Sequence, residues 1–112
     1  LDGDGSMLMH LGALATCAQL ANKNFKYILL NNFCHESVGS QPTISKQINF
    51  KLLSKSLKFK NYHKIERINE LEKKLSLFLK QDGPNFLEVI IKTGTLKKLS
   101  RPNSLKELLK KI

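Results

Sequence analysis

From Met7 to about Ala21 apolar side chains recur on every face of a possible helix, and residues 5–22 contain no Asp, Glu, Lys or Arg. The pattern predicts a helix buried on most sides rather than an amphipathic surface helix. Gly12, Ala13, Ala15 and Ala18 would let it approach a sheet closely. Residues 26–32, KYILLNN, are a short apolar run closed by an asparagine pair, the pattern of a buried strand running into a loop. The turn formers of FCHESVGSQPTIS predict a surface loop, where functional sites concentrate.

Residues 47–57 read as a short helix and NYHKIE as a strand. Ile65, Ile68, Leu71, Leu75 and Phe78 then recur at spacings of three and four, which predicts an amphipathic helix over about 67–81 with that stripe in the core. Asp82-Gly83-Pro84 stops it, residues 85–92 form a strand, and Leu105–Ile112 a short basic helix after Pro102. Strands alternating with helices predict an α/β fold, helices packed on a parallel sheet of three or four strands, in one domain spanning residues 1–112. Only Leu1 is left over for the strand that should feed the first helix. The expectation is therefore a fragment or an unusual beginning to the fold, with weak stability and an open sheet edge.

A formal charge of +10 raises the question of nucleic acid or an anionic membrane as partner. Neither is expected. Only Arg67 and Arg101 can make forked contacts to phosphate or bases, and the lysines interleave with Glu66, Glu70 and Glu72 on what reads as a solvated helix face. The uncharged run lacks the basic flank of a signal peptide, and it is too short and too polar for a membrane span. Cys17 and Cys34 are too few for a disulfide framework, so a cytoplasmic, reducing setting is the default. Cys17 reads as a small buried hydrophobe.

The opening LDGDGS holds the most pointed chemistry. As an EF-hand loop from Asp2 it fails, because the glycine position falls on Met7 and the terminal glutamate position on Ala13. A hairpin turn lacks a following alternating strand, and a dinucleotide fingerprint lacks its third glycine. The remaining reading is an anion site at a helix start: Gly3 and Gly5 let backbone come close, and Ser6 offers a hydroxyl and an N–H. Asp4 would repel a phosphate unless Mg²⁺ sits between them, and the metal then needs further oxygens from a neighbouring loop. The asparagine pair stands in the right place, because consecutive parallel strands end on the same side of a sheet.

At GDGS (3–6) and NN (31–32) the chain resembles the thiamine diphosphate enzymes, whose cofactor motif is Gly-Asp-Gly followed some thirty residues later by an Asn pair. The loop HESVGSQPT (35–43) is similar to that of phosphonopyruvate decarboxylases, and somewhat less to that of sulfopyruvate decarboxylases. Residues 49–75, 82–94 and 99–104 resemble later segments of the same family, so the likeness covers essentially the whole chain.

The resemblance implies a partial C-terminal, diphosphate-binding domain, truncated on its N-terminal side, without its pyrimidine-binding domain and inactive alone. It implies Asp4 and Asn32 as side-chain ligands of Mg²⁺, with the main-chain carbonyl of Cys34 as a third. Gly3, Asp4, Gly5, Ser6 and Asn32 become cofactor-binding residues for thiamine diphosphate, with Gly5 and Ser6 contacting the diphosphate. His35 becomes a catalytic candidate touching the substrate. The implied reaction is decarboxylation of a small 2-oxoacid, 3-phosphonopyruvate, to phosphonoacetaldehyde and CO₂, in a parent enzyme that is a homo-oligomer. The alternative substrate is sulfopyruvate; an alternative of another class is a non-catalytic basic binding module. Ser40 departs from the family, which often has a second glycine there. His10, one turn after Ser6, either faces the site or sits in the core, and His10, His63 and Cys34-His35 lack zinc spacing.

Overall fold

The computed structural model describes residues 1–94. The predicted helix over Leu105–Ile112 and the 99–104 segment lie outside them. In chain order the elements are β1 (Asp2–Gly3), α1 (Asp4–Met9), α2 (Leu11–Leu20), β2 (Lys26–Asn31), β3 (Cys34–His35), β4 (Gln41–Pro42), α3 (Phe50–Ser56), β5 (Asn61–Ile65), α4 (Leu71–Lys80) and β6 (Asn85–Ile90). Four strands form a wholly parallel sheet in the order β1-β2-β6-β5, while β3 and β4 make a two-residue antiparallel clip in the long loop. The predicted α/β class, with helices on a four-stranded parallel sheet, is what the chain adopts.

Period-2 alternation explains why both sheet faces are covered. Tyr27 and Leu29 of β2 and Phe86 of β6 join Met7, Leu14, Ala18, Phe50 and Phe59 on one face, beneath α1, α2 and α3. The intervening Ile28 and Leu87 turn to the other face, where Phe78, Leu71 and Leu75 of α4 pack. Aromatic rings knit the first layer, with Phe86 centred 5.2 Å from both Tyr27 and Phe59. Among the described residues no helix is long and apolar enough to cross a membrane.

The first helix differs from expectation in three ways. It begins at Asp4, not Met7, because Asp2 and Gly3 pair in parallel with Leu29 and Leu30 and Tyr27 Oη donates to Asp2 Oδ2 at 3.1 Å. A short feeding strand is therefore present. The helix breaks at His10, whose φ of −123° leaves helical space, and α2 starts anew. Nor is α2 buried on most sides: Leu14 and Ala18 face the core at a spacing of four, while Leu20 is 83% exposed and Cys17 is exposed. With only one face of α2 against the sheet, an apolar composition does not secure burial. The stripe over 67–81 is likewise narrower than predicted, since Ile65 belongs to β5 and Ile68 stands 84% exposed in a short 3₁₀ turn ahead of α4.

Ser40 adopts the left-handed conformation, with φ +57°, directly after Gly39 at φ +84°. The tight loop forms despite the missing second glycine, held by Ser40 N–H to the His35 carbonyl at 3.0 Å. A non-glycine residue there costs about 1–2 kcal/mol, against about 0.5–1 kcal/mol of extra chain entropy for glycine. Ser40→Gly is therefore expected to stabilise the chain by about 0.5 kcal/mol, raising a thermal melting midpoint by roughly 2 °C. An unchanged or lowered midpoint would mean that the left-handed backbone carries no strain.

Candidate functional site

Because β1 and β2 are parallel neighbours, their C-terminal ends bring Asp4 and the asparagine pair together across 28 sequence positions. Between them lies a cleft of about 270 Å³. Gly3, Asp4, Gly5 and Ser6 line one wall, and Asn32, Cys34 and His35, with Glu36 beside them, line the other. Gly3, Asp4, Gly5, Ser6, Asn32, Cys34 and His35, singled out in the sequence for this site, all meet here. His10 does not; it is exposed, with Nδ1 3.3 Å from the Ser6 carbonyl, and lines a separate small pocket with Met7, Leu14 and Tyr27.

Asp4 is almost wholly buried, 1% exposed. The hydroxyls of Thr43 and Ser45 both donate to its Oδ2, each at 2.5 Å. Two donors on one oxygen fix the rotation of the carboxylate. The sequence reading missed Thr43 and Ser45. They stand 39 and 41 positions from Asp4, so no local spacing marks them.

The two asparagines divide their work by strand alternation. Asn31, fully buried, donates to Glu88 Oε1 at 2.8 Å and accepts from Phe33 N–H at 3.2 Å. Asn32 points to the opposite side, into the cleft lining, where its Oδ1 accepts from Cys34 N–H at 3.1 Å and its Nδ2 donates to Glu36 Oε2 at 2.9 Å. Phe33, at φ +61°, makes the turn that follows them. The β3–β4 clip and Thr43 N–H to the Phe33 carbonyl at 3.0 Å then bring the loop back beneath Asp4.

Gly5 is the tightest point. A Cβ there would overlap the imidazole of His35, so the ring lies against bare backbone of the first helical turn. Gly3, as helix cap, offers no side chain to the first-turn amides, which are left to an outside acceptor. The Cys34 thiol is held above its ordinary range by burial and by the Glu36 and Asp4 carboxylates, so it stays protonated and is a poor ligand.

Among the residues lining the cleft, Asp4 brings a carboxylate and Asn32 a carboxamide, hard oxygen donors that suit Mg²⁺ far better than a soft metal. The same two carboxylates that hold the Cys34 thiol neutral favour a cation. A cation between Asp4 and a diphosphate would remove their repulsion. The residues present fit a diphosphate bound through a dication.

The chain is 34% identical over 102 residues to a phosphonopyruvate decarboxylase of Streptomyces viridochromogenes, covering 91% of this chain and 26% of that protein. It is 35% identical to the phosphonopyruvate decarboxylase of Streptomyces hygroscopicus, again over 91% of the chain and 25% of that protein. It is 37% identical over 94 residues to the sulfopyruvate decarboxylase subunit beta of Methanothermobacter thermautotrophicus, covering 84% of the chain and 48% of the subunit. The chain thus spans about a quarter of the length of the first two relatives and about half of the third. Residues 1–89 match the family described as "Thiamine pyrophosphate enzyme, C-terminal TPP binding domain". The chain belongs to this family of thiamine pyrophosphate enzymes, of which it carries the C-terminal cofactor-binding domain.

Proposed function

We propose that residues 1–112 form one partial domain, the diphosphate-holding half-site of a Mg²⁺- and thiamine diphosphate-dependent decarboxylase acting on 3-phosphonopyruvate. The observation that carries this reading is the convergence of Asp4, Gly5, Ser6, Asn32 and Cys34 on one cleft at the C-terminal ends of two parallel strands. The choice of substrate is supported by the likeness of the loop HESVGSQPT (35–43) to that of phosphonopyruvate decarboxylases. Sulfopyruvate, a 2-oxoacid with a different second anion, is the competing substrate.

Asp4 Oδ1, the Asn32 side-chain oxygen and the Cys34 carbonyl hold Mg²⁺ in this reading, and the Gly5 and Ser6 N–H groups take the diphosphate oxygens. Thr43 and Ser45 hold Asp4 in one rotamer, so no ordering cost falls on metal binding. Asn32 accepts from Cys34 N–H through one lone pair and keeps a second for the metal. When bound, the cofactor supplies the electron sink for loss of CO₂. His35, packed on Gly5 at the rim, contacts the substrate. A pyrimidine-binding domain, from another segment or another subunit of a homo-oligomer, completes the site, and the enzyme works in the cytoplasm.

Titration calorimetry of thiamine diphosphate into the purified chain, with and without Mg²⁺, tests the half-site. Binding that requires Mg²⁺ and weakens about tenfold, ~1.4 kcal/mol, in Asn32→Ala is the expected result. No binding by a demonstrably folded chain removes the reading, and salt-sensitive retention on heparin surviving Asp4→Ala replaces it with the basic binding module.

A further inference from the structure

Glu88 is a carboxylate in the middle of β6, 4% exposed, and it forms no ion pair among the described residues. Burying a charge in a central strand without a counter-ion is costly and calls for a reason. Its two oxygens are both engaged: Oε1 accepts from Asn31 Nδ2 at 2.8 Å and Oε2 from the Tyr62 hydroxyl at 2.5 Å. Lys64 offsets that cost only through its field, because its ammonium bonds to Glu66 at 2.7 Å and not to Glu88.

What Glu88 does hold is Asn31. With its Nδ2 fixed on Glu88, the Asn31 Oδ1 has one orientation, and it accepts from Phe33 N–H at 3.2 Å. That bond braces the left-handed turn at Phe33, which a bulky residue adopts only when its surroundings compel it. The residues on either side of Phe33 are the cleft-lining pair, Asn32 and Cys34, joined to each other by Cys34 N–H to Asn32 Oδ1. A second anchor fixes the far side of the same loop through Ser45 and Thr43 to Asp4.

We propose that Glu88 is a positioning residue for the metal loop. Acting through Asn31, it holds the turn at Phe33 so that the Asn32 side chain and the Cys34 carbonyl face Asp4. The acid is kept, against its burial cost, because a neutral apolar residue offers Asn31 no acceptor and would free the Asn31 amide to rotate. Tyr62 satisfies the second oxygen and takes no part in the relay. The proposal rests on the reading of this loop as the Mg²⁺ site, yet its geometry is present in the metal-free chain and is tested there.

Amide hydrogen exchange of the metal-free chain, followed by NMR in Glu88→Ala, Glu88→Gln and Tyr62→Phe, is the experiment. In Glu88→Ala the Phe33 and Cys34 amides are expected to exchange at least about tenfold faster relative to the β2–β6 ladder amides, which report the fold as a whole. Glu88→Gln, which retains an acceptor for Asn31, restores protection, and Tyr62→Phe leaves the two amides unchanged. Loosening confined to the loop should carry into affinity, with Mg²⁺-dependent binding of inorganic pyrophosphate about tenfold weaker in Glu88→Ala than in Glu88→Gln. Uniform acceleration of loop and ladder, or no rescue by glutamine, overturns the proposal by making Glu88 a plain structural residue. If the unaltered chain fails to bind pyrophosphate with Mg²⁺, the metal-site reading falls, while the exchange data still decide whether Glu88 holds the loop.

Discussion

Asp4→Asn is expected to abolish the Mg²⁺-dependent binding of thiamine diphosphate, weakening it at least about 100-fold, or ~2.7 kcal/mol. Asp4 is the only side chain in the proposed ligand set that brings a formal negative charge to the dication. Asparagine keeps its size and one oxygen but loses that charge. The fold should be spared: the asparagine oxygen can still accept from Thr43 and Ser45, and removing a buried charge relieves desolvation. The melting midpoint without metal is therefore expected to change by less than about 4 °C, corresponding to under ~1 kcal/mol. Calorimetry with and without Mg²⁺, beside a thermal melt, separates the two quantities. Retained metal-dependent affinity in a folded Asp4→Asn chain would remove Asp4 from the site.

Gly5→Ala is the second large effect. Inside a helix this change ordinarily stabilises, by up to about 1 kcal/mol. Here the new Cβ would overlap the His35 imidazole, and overpacking of this kind costs about 1–3 kcal/mol. The steric term wins. The expected outcome is a destabilised chain with His35 driven from the cleft rim and diphosphate affinity reduced at least about 30-fold, ~2 kcal/mol, because the Gly5 and Ser6 amides move with the first turn. Adding His35→Ala should rescue stability, with a coupling of about 1–2 kcal/mol in the double-mutant cycle. Additive effects would show that the two residues do not touch.

Much of the fold was legible because it depends on short-range preference. KYILLNN and NFLEVIIK are apolar runs bounded by turn formers, and both became neighbouring strands, β2 and β6, buried on two faces. The first helix was misjudged because composition was read as burial. Met7 to Ala21 is apolar all round, yet only one side of α2 meets the sheet, and Leu20 and Cys17 are left outside. The cleft was legible through GDGS and NN, since parallel strands bring their ends to one side whatever lies between them.

Residue identity set the local chemistry: the carboxylate at Asp4, the bare backbone at Gly5, the paired amides at Asn31 and Asn32, and the turn formers that follow. Tertiary structure alone decided which of these groups work together. Nothing within a few residues of Asn31 tells that it faces inward to Glu88 while Asn32 faces the cleft, because that depends on which face of β2 meets β6. Nor does any local pattern reveal that Thr43 and Ser45 fold back onto Asp4, or that His35 lies on Gly5. Periodicity and turn propensity act over a few residues, whereas these contacts follow from the strand order β1-β2-β6-β5 and the burial of both its faces.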